Sequence, residues 1–198
     1  MSLTPIDTAL EQLMPLLPLI TGQESVLLEQ AAGRVLAGDC VSPIDVPPHR
    51  NSAMDGYALK STDLGSENIQ LKITQRIAAG EVGQKLNSGE AARIFTGAPV
   101  PEGADAVVMQ ENCKVSGDVL SVQQQHVPSG ENLRQAGDDI QAGDLILAKG
   151  HRLKPQDIGL LASTGLESVS VTRRLRVSLL TTGDELVQPG TKLEAGQI

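Results

Sequence analysis

Between residues 41 and 142 the chain is interrupted every few residues by turn-forming dipeptides, and this punctuation limits the fold more than any other feature. Gly65-Ser66, Ala79-Gly80, Asn87-Ser88-Gly89, Pro101-Glu102-Gly103, Ser116-Gly117-Asp118 and Ser129-Gly130 recur with no helical period between them. The runs they bound are short and β-prone: Leu71-Lys72-Ile73, Arg93-Ile94-Phe95, Ala106 to Met109 and Val119 to Val122. Such runs are too short for helices and suit the strands of a small all-β barrel or sandwich. The sequence therefore predicts a β-domain over 41–142.

The flanks have a different texture. Thr4-Pro5-Ile6-Asp7 reads as a helix start, with Thr4 as N-cap and Pro5 at the first helical position. Ile6, Leu10, Leu13, Met14 and Leu17 follow at helical spacing and form a docking face, until Pro15 kinks or ends the helix. Val26 to Ala32 reads as a short helix or a strand-to-helix step. Leu145 to Leu147 reads as a strand, Pro155 opens a helix that Gly165 closes, and Val169 and Val171 alternate as a half-buried strand. Residues 1–40 and 143–174 are thus expected to form one discontinuous α+β domain into which the β-domain is inserted. Leu175 to Leu180 then reads as a strand running into Thr181-Thr182-Gly183-Asp184-Glu185. Residues 175–198 are read as the first strand and turn of an α/β domain that stops short. The predicted fold class is mixed α and β, in several domains.

Charge narrows the functions. A net charge of −8 and a pI near 4.8 leave no basic face for a phosphate backbone. One Phe, one Tyr and no Trp leave no platform for stacked bases. No run of about eighteen apolar residues spans a membrane, and no signal pattern opens the chain. Cys40 and Cys113 lack metal or redox spacing and read as free packing thiols, so a cytoplasmic location is expected. His49, His126 and His151 are scattered, which argues against zinc. Arg173-Arg174-Leu175-Arg176 reads as a solvated face with local ion pairs. No dinucleotide, Walker or serine-hydrolase motif is present.

Four polar turns carry what chemistry there is: Ser52 to Tyr57, Thr96-Gly97-Ala98-Pro99, Arg134 to Asp139, and Thr182 to Glu185. Three supply carboxylates (Asp55; Asp138 and Asp139; Asp184 and Glu185), and one supplies a hydroxyl beside Gly97. Carboxylates on separate turns suit a hard cation such as magnesium, which completes its shell with water and phosphate. Arg134 could pair with a phosphate through both arms of its guanidinium. Gly56 after Asp55 reads as a turn glycine, or as one that admits a ligand to the backbone. Each turn alone is also ordinary Asp-Gly turn chemistry.

In series the turns are specific. The chain resembles the molybdopterin molybdenumtransferase family, bacterial MoeA proteins and the E domain of gephyrin. The resemblance runs through Pro47-Pro48 with Asn51-Ser52-Ala53-Met54-Asp55-Gly56-Tyr57-Ala58, and Thr96 to Pro101 with Gly103 to Val108. It continues in Arg134-Gln135-Ala136-Gly137-Asp138-Asp139-Ile140, Pro155 to Gly165, and Thr182 to Leu186. It implies that molybdate is inserted into adenylylated molybdopterin with release of AMP, assisted by Mg2+ or another divalent cation. Catalytic positions are then Asp55, Thr96, Asp139 and Glu185, with Asp55, Asp139 and Glu185 on the metal. Ser52, Gly97, Arg134, Thr182, Gly183 and Asp184 fall to the substrate. The resemblance further implies a homodimer, with molybdopterin adenylyltransferase as a partner. His49-Arg50 departs from the usual aromatic-plus-acid pair, and Asp138 stands where Glu is usual. Family members continue through a complete pterin-binding domain and a further β-domain, so the chain alone is expected to be inactive. The alternative is a non-catalytic dimerisation scaffold of the gephyrin type, which has no need for the acids and Thr96.

Overall fold

The computed structural model describes residues 4–17, 22–65, 70–124 and 126–198. Within these, the chain divides into two compact units, residues 1–24 with 172–198 and residues 25–171.

The first unit contains helix α1 (Ile6–Leu13), which passes into a 3-10 turn over Met14–Leu16 where Pro15 removes a donor. The N-cap is Pro5, one residue later than the sequence suggests, and no side chain caps the helix. Ile6, Leu10, Leu13, Met14 and Leu17 are all exposed. Leu175 to Leu180 corrects the sequence reading. It forms no strand, and Leu175, Val177, Leu179 and Leu180 are 66–89% exposed. A strand needs a neighbour to take its N–H and C=O groups, and no ladder reaches this one.

The second unit is built on strands. The chain enters through β1 (Gln23–Leu27), steps directly into a one-turn helix α2 (Leu28–Ala31), and continues to β2 (Cys40–Val41) and β3 (Asn51–Ser52). Then follow β4 (Gly56–Leu59), β5 (Gln70–Ile77), β6 (Glu90–Ile94), β7 (Ala106–Met109), β8 (Cys113–Ser116) and β9 (Val119–Val122). These six form one sheet in the order β7-β4-β6-β5-β9-β8, parallel only between β5 and β6. It curls as a half-barrel, and no described ladder joins β7 to β8. Of the turns between the predicted runs, Gly65-Ser66 lies partly outside the described residues. β10 (Leu133–Arg134) pairs with β3, and β11 (Leu145–Leu147) with β2. Helix α3 (Pro155–Ser163) and β12 (Ser168–Thr172) follow, β12 beside β1.

Alternation explains the packing. Along β4, Tyr57 and Leu59 join Leu71, Ala91, Ala106, Val108 and Leu120 on one face. Ala58 joins Ile77, Ala92, Ile94 and Val107 on the other. Successive strand residues point to opposite faces, so a sheet covered on both sides has no polar position to spare at its centre. All four residues of β4 are buried. A third cluster, Leu28, Ala31, Leu36, Cys40, Leu153, Leu161, Val169 and Val171, draws on the segments flanking the β-region. Cys40 packs there, and burial pushes the Cys113 thiol up to about 11, so both cysteines are poor nucleophiles.

Helix α3 starts with Pro155 and is fixed by one carboxylate. Asp157 accepts from His151 Nε2 and from the Lys154 N–H, both at 2.7 Å. The bond to His151 comes first in holding the Asp157 carboxyl below its ordinary value, and the Lys154 N–H comes next. A depressed carboxyl contributes stability that is complete above the unfolded value, about 3.9, and is lost as pH falls through the folded one. Asp157→Asn is therefore expected to flatten the fall in melting temperature between pH 5 and 3. An unchanged acid slope in thermal melts of the variant would remove Asp157 from the account.

Candidate functional site

Strand β3 is the hub of the polar turns. The Ser52 N–H donates to Ala98 O at 3.0 Å, and Ser52 O accepts from the Gly97 N–H at 2.8 Å. On its other edge β3 pairs with β10, Ser52 opposite Leu133 and Asn51 opposite Arg134. Upstream, the Asp139 and Ile140 N–H groups both donate to Val46 O. The first three turns picked from the sequence are thus sewn together by backbone bonds.

Within this patch Asp55 and Thr96, forty-one residues apart, are in direct contact. One Asp55 oxygen, Oδ1, accepts from the Thr96 N–H and from Thr96 Oγ1, each at 2.8 Å. The Thr96 N–H is the chief reason that the Asp55 carboxyl is held below its usual range. The hydroxyl is the second, and the charge of Arg93 adds in the same direction. Asp55 is half-buried and Thr96 exposed, so the ionised carboxylate faces outward with Oδ2 uncommitted. Thr96→Ala removes the hydroxyl donor and leaves the N–H. The Asp55 carboxyl should then titrate higher, though still below an unperturbed aspartate. NMR titration of its side-chain carbon checks this, and an unmoved titration would mean that the hydroxyl does not stabilise the ionised Asp55.

The other predicted residues take less direct roles. Ser52 is buried and its hydroxyl donates to Met54 O at 2.6 Å, closing the turn that presents Asp55. Gly97 adopts φ +82°, which a side chain would strain. Arg134 is ion-paired with Asp139, one guanidinium nitrogen meeting Asp139 Oδ2. The pair is charge-assisted, both partners are half-exposed, and it engages a single nitrogen of the guanidinium. Asp138 accepts from the Gln135 N–H at 2.7 Å and closes its own turn. Gly56 serves neither purpose expected of it. A Cβ there would lie 2.0 Å from Val108 O on β7, so the position is glycine because two strands approach.

Thr182, Gly183, Asp184 and Glu185 belong to the other unit. There the Ile198 N–H donates to Glu185 O at 2.7 Å, and the Glu185 carboxylate lies against Gly183. Among the described residues no group of three or more His, Cys, Asp or Glu side chains is placed to hold a metal.

Two groups escaped the sequence reading. Arg93 donates to Gly56 O at 2.8 Å, Ile94 O at 3.1 Å and Gln110 Oε1 at 2.6 Å, tying β6 to the Asp55 turn. The buried Asn51 Oδ1 has no hydrogen-bond partner. An arginine inside a β-prone run of the sequence was the available signal for the first. Nothing in the sequence marks the second.

The chain as a whole has counterparts among known proteins. Residues 4–165 match the model of the MoeA N-terminal region, domains I and II. The chain belongs to this family. A molybdopterin molybdenumtransferase of Haemophilus influenzae is 41% identical over 98% of this chain and 48% of its own length. Molybdopterin molybdenumtransferase 2 of Mycobacterium tuberculosis is also 41% identical, over 88% of this chain and 44% of its own length. The solved molybdopterin biosynthesis MoeA protein of Pyrococcus horikoshii OT3 matches with a TM-score of 0.83 at 35% identity, over 98% of this chain and 52% of that one. The chain spans about half the length of the relatives it matches.

Proposed function

We propose that this MoeA-family chain forms part of a molybdenum cofactor transferase that inserts molybdate into adenylylated molybdopterin and releases AMP. The observation that carries the reading is the contact of Asp55 with Thr96. A scaffold gains little from an exposed hydroxyl and an outward carboxylate held by two donors, whereas a site that handles a phosphate ester needs fixed charge. The relatives' names point the same way. The scaffold reading is therefore not favoured.

In the proposed site Asp55 is the residue that would hold a divalent cation. Its Oδ2 is uncommitted, and magnesium accepts one carboxylate when water and substrate phosphate supply the rest. The cation would neutralise charge on the phosphate as the pterin-to-AMP bond breaks. Thr96 fixes which Asp55 oxygen is available. Asp139, through its pair with Arg134, sets the charge of the neighbouring turn, and Ser52 and Gly97 shape the rim. Glu185, with Thr182, Gly183 and Asp184, is proposed for the second acidic turn on the strength of the family resemblance. A homodimer, contact with the adenylyltransferase, and the division into 1–40 with 143–174, 41–142 and 175–198 belong to the same proposal.

The test uses a protein carrying this chain at its relatives' full length, with adenylylated molybdopterin, molybdate and magnesium. Molybdate-dependent AMP release is expected, and its absence from well-folded protein would sink the reading.

A further inference from the structure

Arg93 and Arg76 lie side by side for a reason of register. Strands β5 and β6 run parallel with Arg76 opposite Arg93, so both side chains leave the same face of the sheet. Phe95, two residues beyond Arg93, leaves that face too. The Arg76 and Arg93 guanidinium carbons lie 4.5 and 4.4 Å from the centroid of its ring, so the two cations are no further apart than those distances laid end to end. Arg93 also lies 5.3 Å from the Tyr57 ring centroid. The sole phenylalanine and sole tyrosine are thus both spent on arginines.

Acids outnumber bases in this protein, whose net charge is −8. Two like charges are held around one ring, and no described carboxylate forms an ion pair with either. Arg93 is immobilised by its three hydrogen bonds, whereas the exposed Arg76 has only the ring contact. Asp55 feels the Arg93 charge but directs Oδ1 to Thr96. Stacking occupies the flat faces of a guanidinium and leaves its N–H edge, which is whole in Arg76 and in Arg93 is reduced to Nε–H and one Nη2 hydrogen.

We propose that Arg76 and Arg93, spaced by Phe95, form an anion site for a phosphate monoester beside the Asp55–Thr96 contact. Resting on the proposed function, the natural occupant is the phosphate of AMP as it leaves. Arg93 is the fixed half of the site and Arg76 the half that closes on the ligand.

The test titrates this chain with AMP, orthophosphate and adenosine, following the Arg76 and Arg93 side-chain resonances by NMR. AMP and orthophosphate should shift both arginines and adenosine neither, and Arg76→Gln should weaken AMP about tenfold. The Arg76 side chain makes no hydrogen bond, so the variant should fold. Undiminished AMP affinity in Arg76→Gln, or adenosine binding as well as AMP, would overturn the proposal, and so would silence from both phosphates. Because no molybdate or turnover is involved, failure here leaves the transferase reading standing. Failure of AMP release in the full-length protein would leave the anion site standing.

Discussion

Gly56→Ala is expected to be among the most damaging single methyl groups that can be added to this chain. The Cβ would fall 2.0 Å from Val108 O, 2.8 Å from Val108 C and 3.2 Å from Met109 Cα. All three are backbone atoms of β7, which pairs with β4 in the register Gly56 to Met109 and Tyr57 to Val108. A side chain in the way can rotate aside. A strand can move only by stretching the ladder that holds Tyr57, Ala58 and Leu59 against Val108, Val107 and Ala106. Those residues are the centre of both sheet faces, so relief at Gly56 opens packing elsewhere. Overpacking of this type costs about 3 kcal/mol or more, or about 6–12 °C in melting temperature for a chain of this size. A variant melting within about 2 °C of the parent would show that β4 and β7 can separate freely, contrary to this account. The effect should also reach the site, since Arg93 donates to Gly56 O and Asp55 is the preceding residue.

What the sequence disclosed, and what it hid, follows from the range of the forces involved. Strands at Ala106 to Met109 and Val119 to Val122, and the helix opened by Pro155, are written in local chemistry: β-branched runs bounded by glycine, and a proline where no donor is needed. Leu175 to Leu180 carries the same local pattern but forms no strand, because a strand is completed by partners that propensity does not supply. Gly56 was visible as a glycine, but its purpose depends on Val108, fifty-two residues away. The proximity of Asp55 and Thr96 was equally non-local. Composition could not bring them together, whereas the resemblance of their two turns to one family had already placed both in one site. Arg93 stayed hidden because a lone arginine in an apolar run reads as a solvent-facing strand residue. Only the β5–β6 register shows that it stands beside Arg76.

Asp55→Ala is expected to separate activity from stability. The carboxylate is half-buried at the edge of the patch, makes bonds only to Thr96, and belongs to none of the three apolar clusters. Its removal leaves the exposed Thr96 N–H and hydroxyl to water, so the melting temperature should change by no more than about 4 °C. In the full-length protein, AMP release should nevertheless fall on the order of a hundredfold or more, the usual cost of deleting a fixed charge at a reacting centre. Asp55→Asn sharpens the test. The amide keeps the size of the side chain and can still accept from Thr96, but it has lost the charge proposed to hold the cation. Both variants should therefore be slow, and Asn should not rescue Ala. Thr96→Ala should cost less than either, because it leaves the carboxylate ionised and removes only one of the two donors that orient it. The double variant should be no slower than Asp55→Ala, since Thr96 acts here through Asp55. If Asp55→Asn turns over at the parent rate, the charge is dispensable. If the double variant is much slower than Asp55→Ala, Thr96 contacts the substrate independently. If Asp55→Ala melts as low as Gly56→Ala, the aspartate holds the turn together and the site must be sought elsewhere.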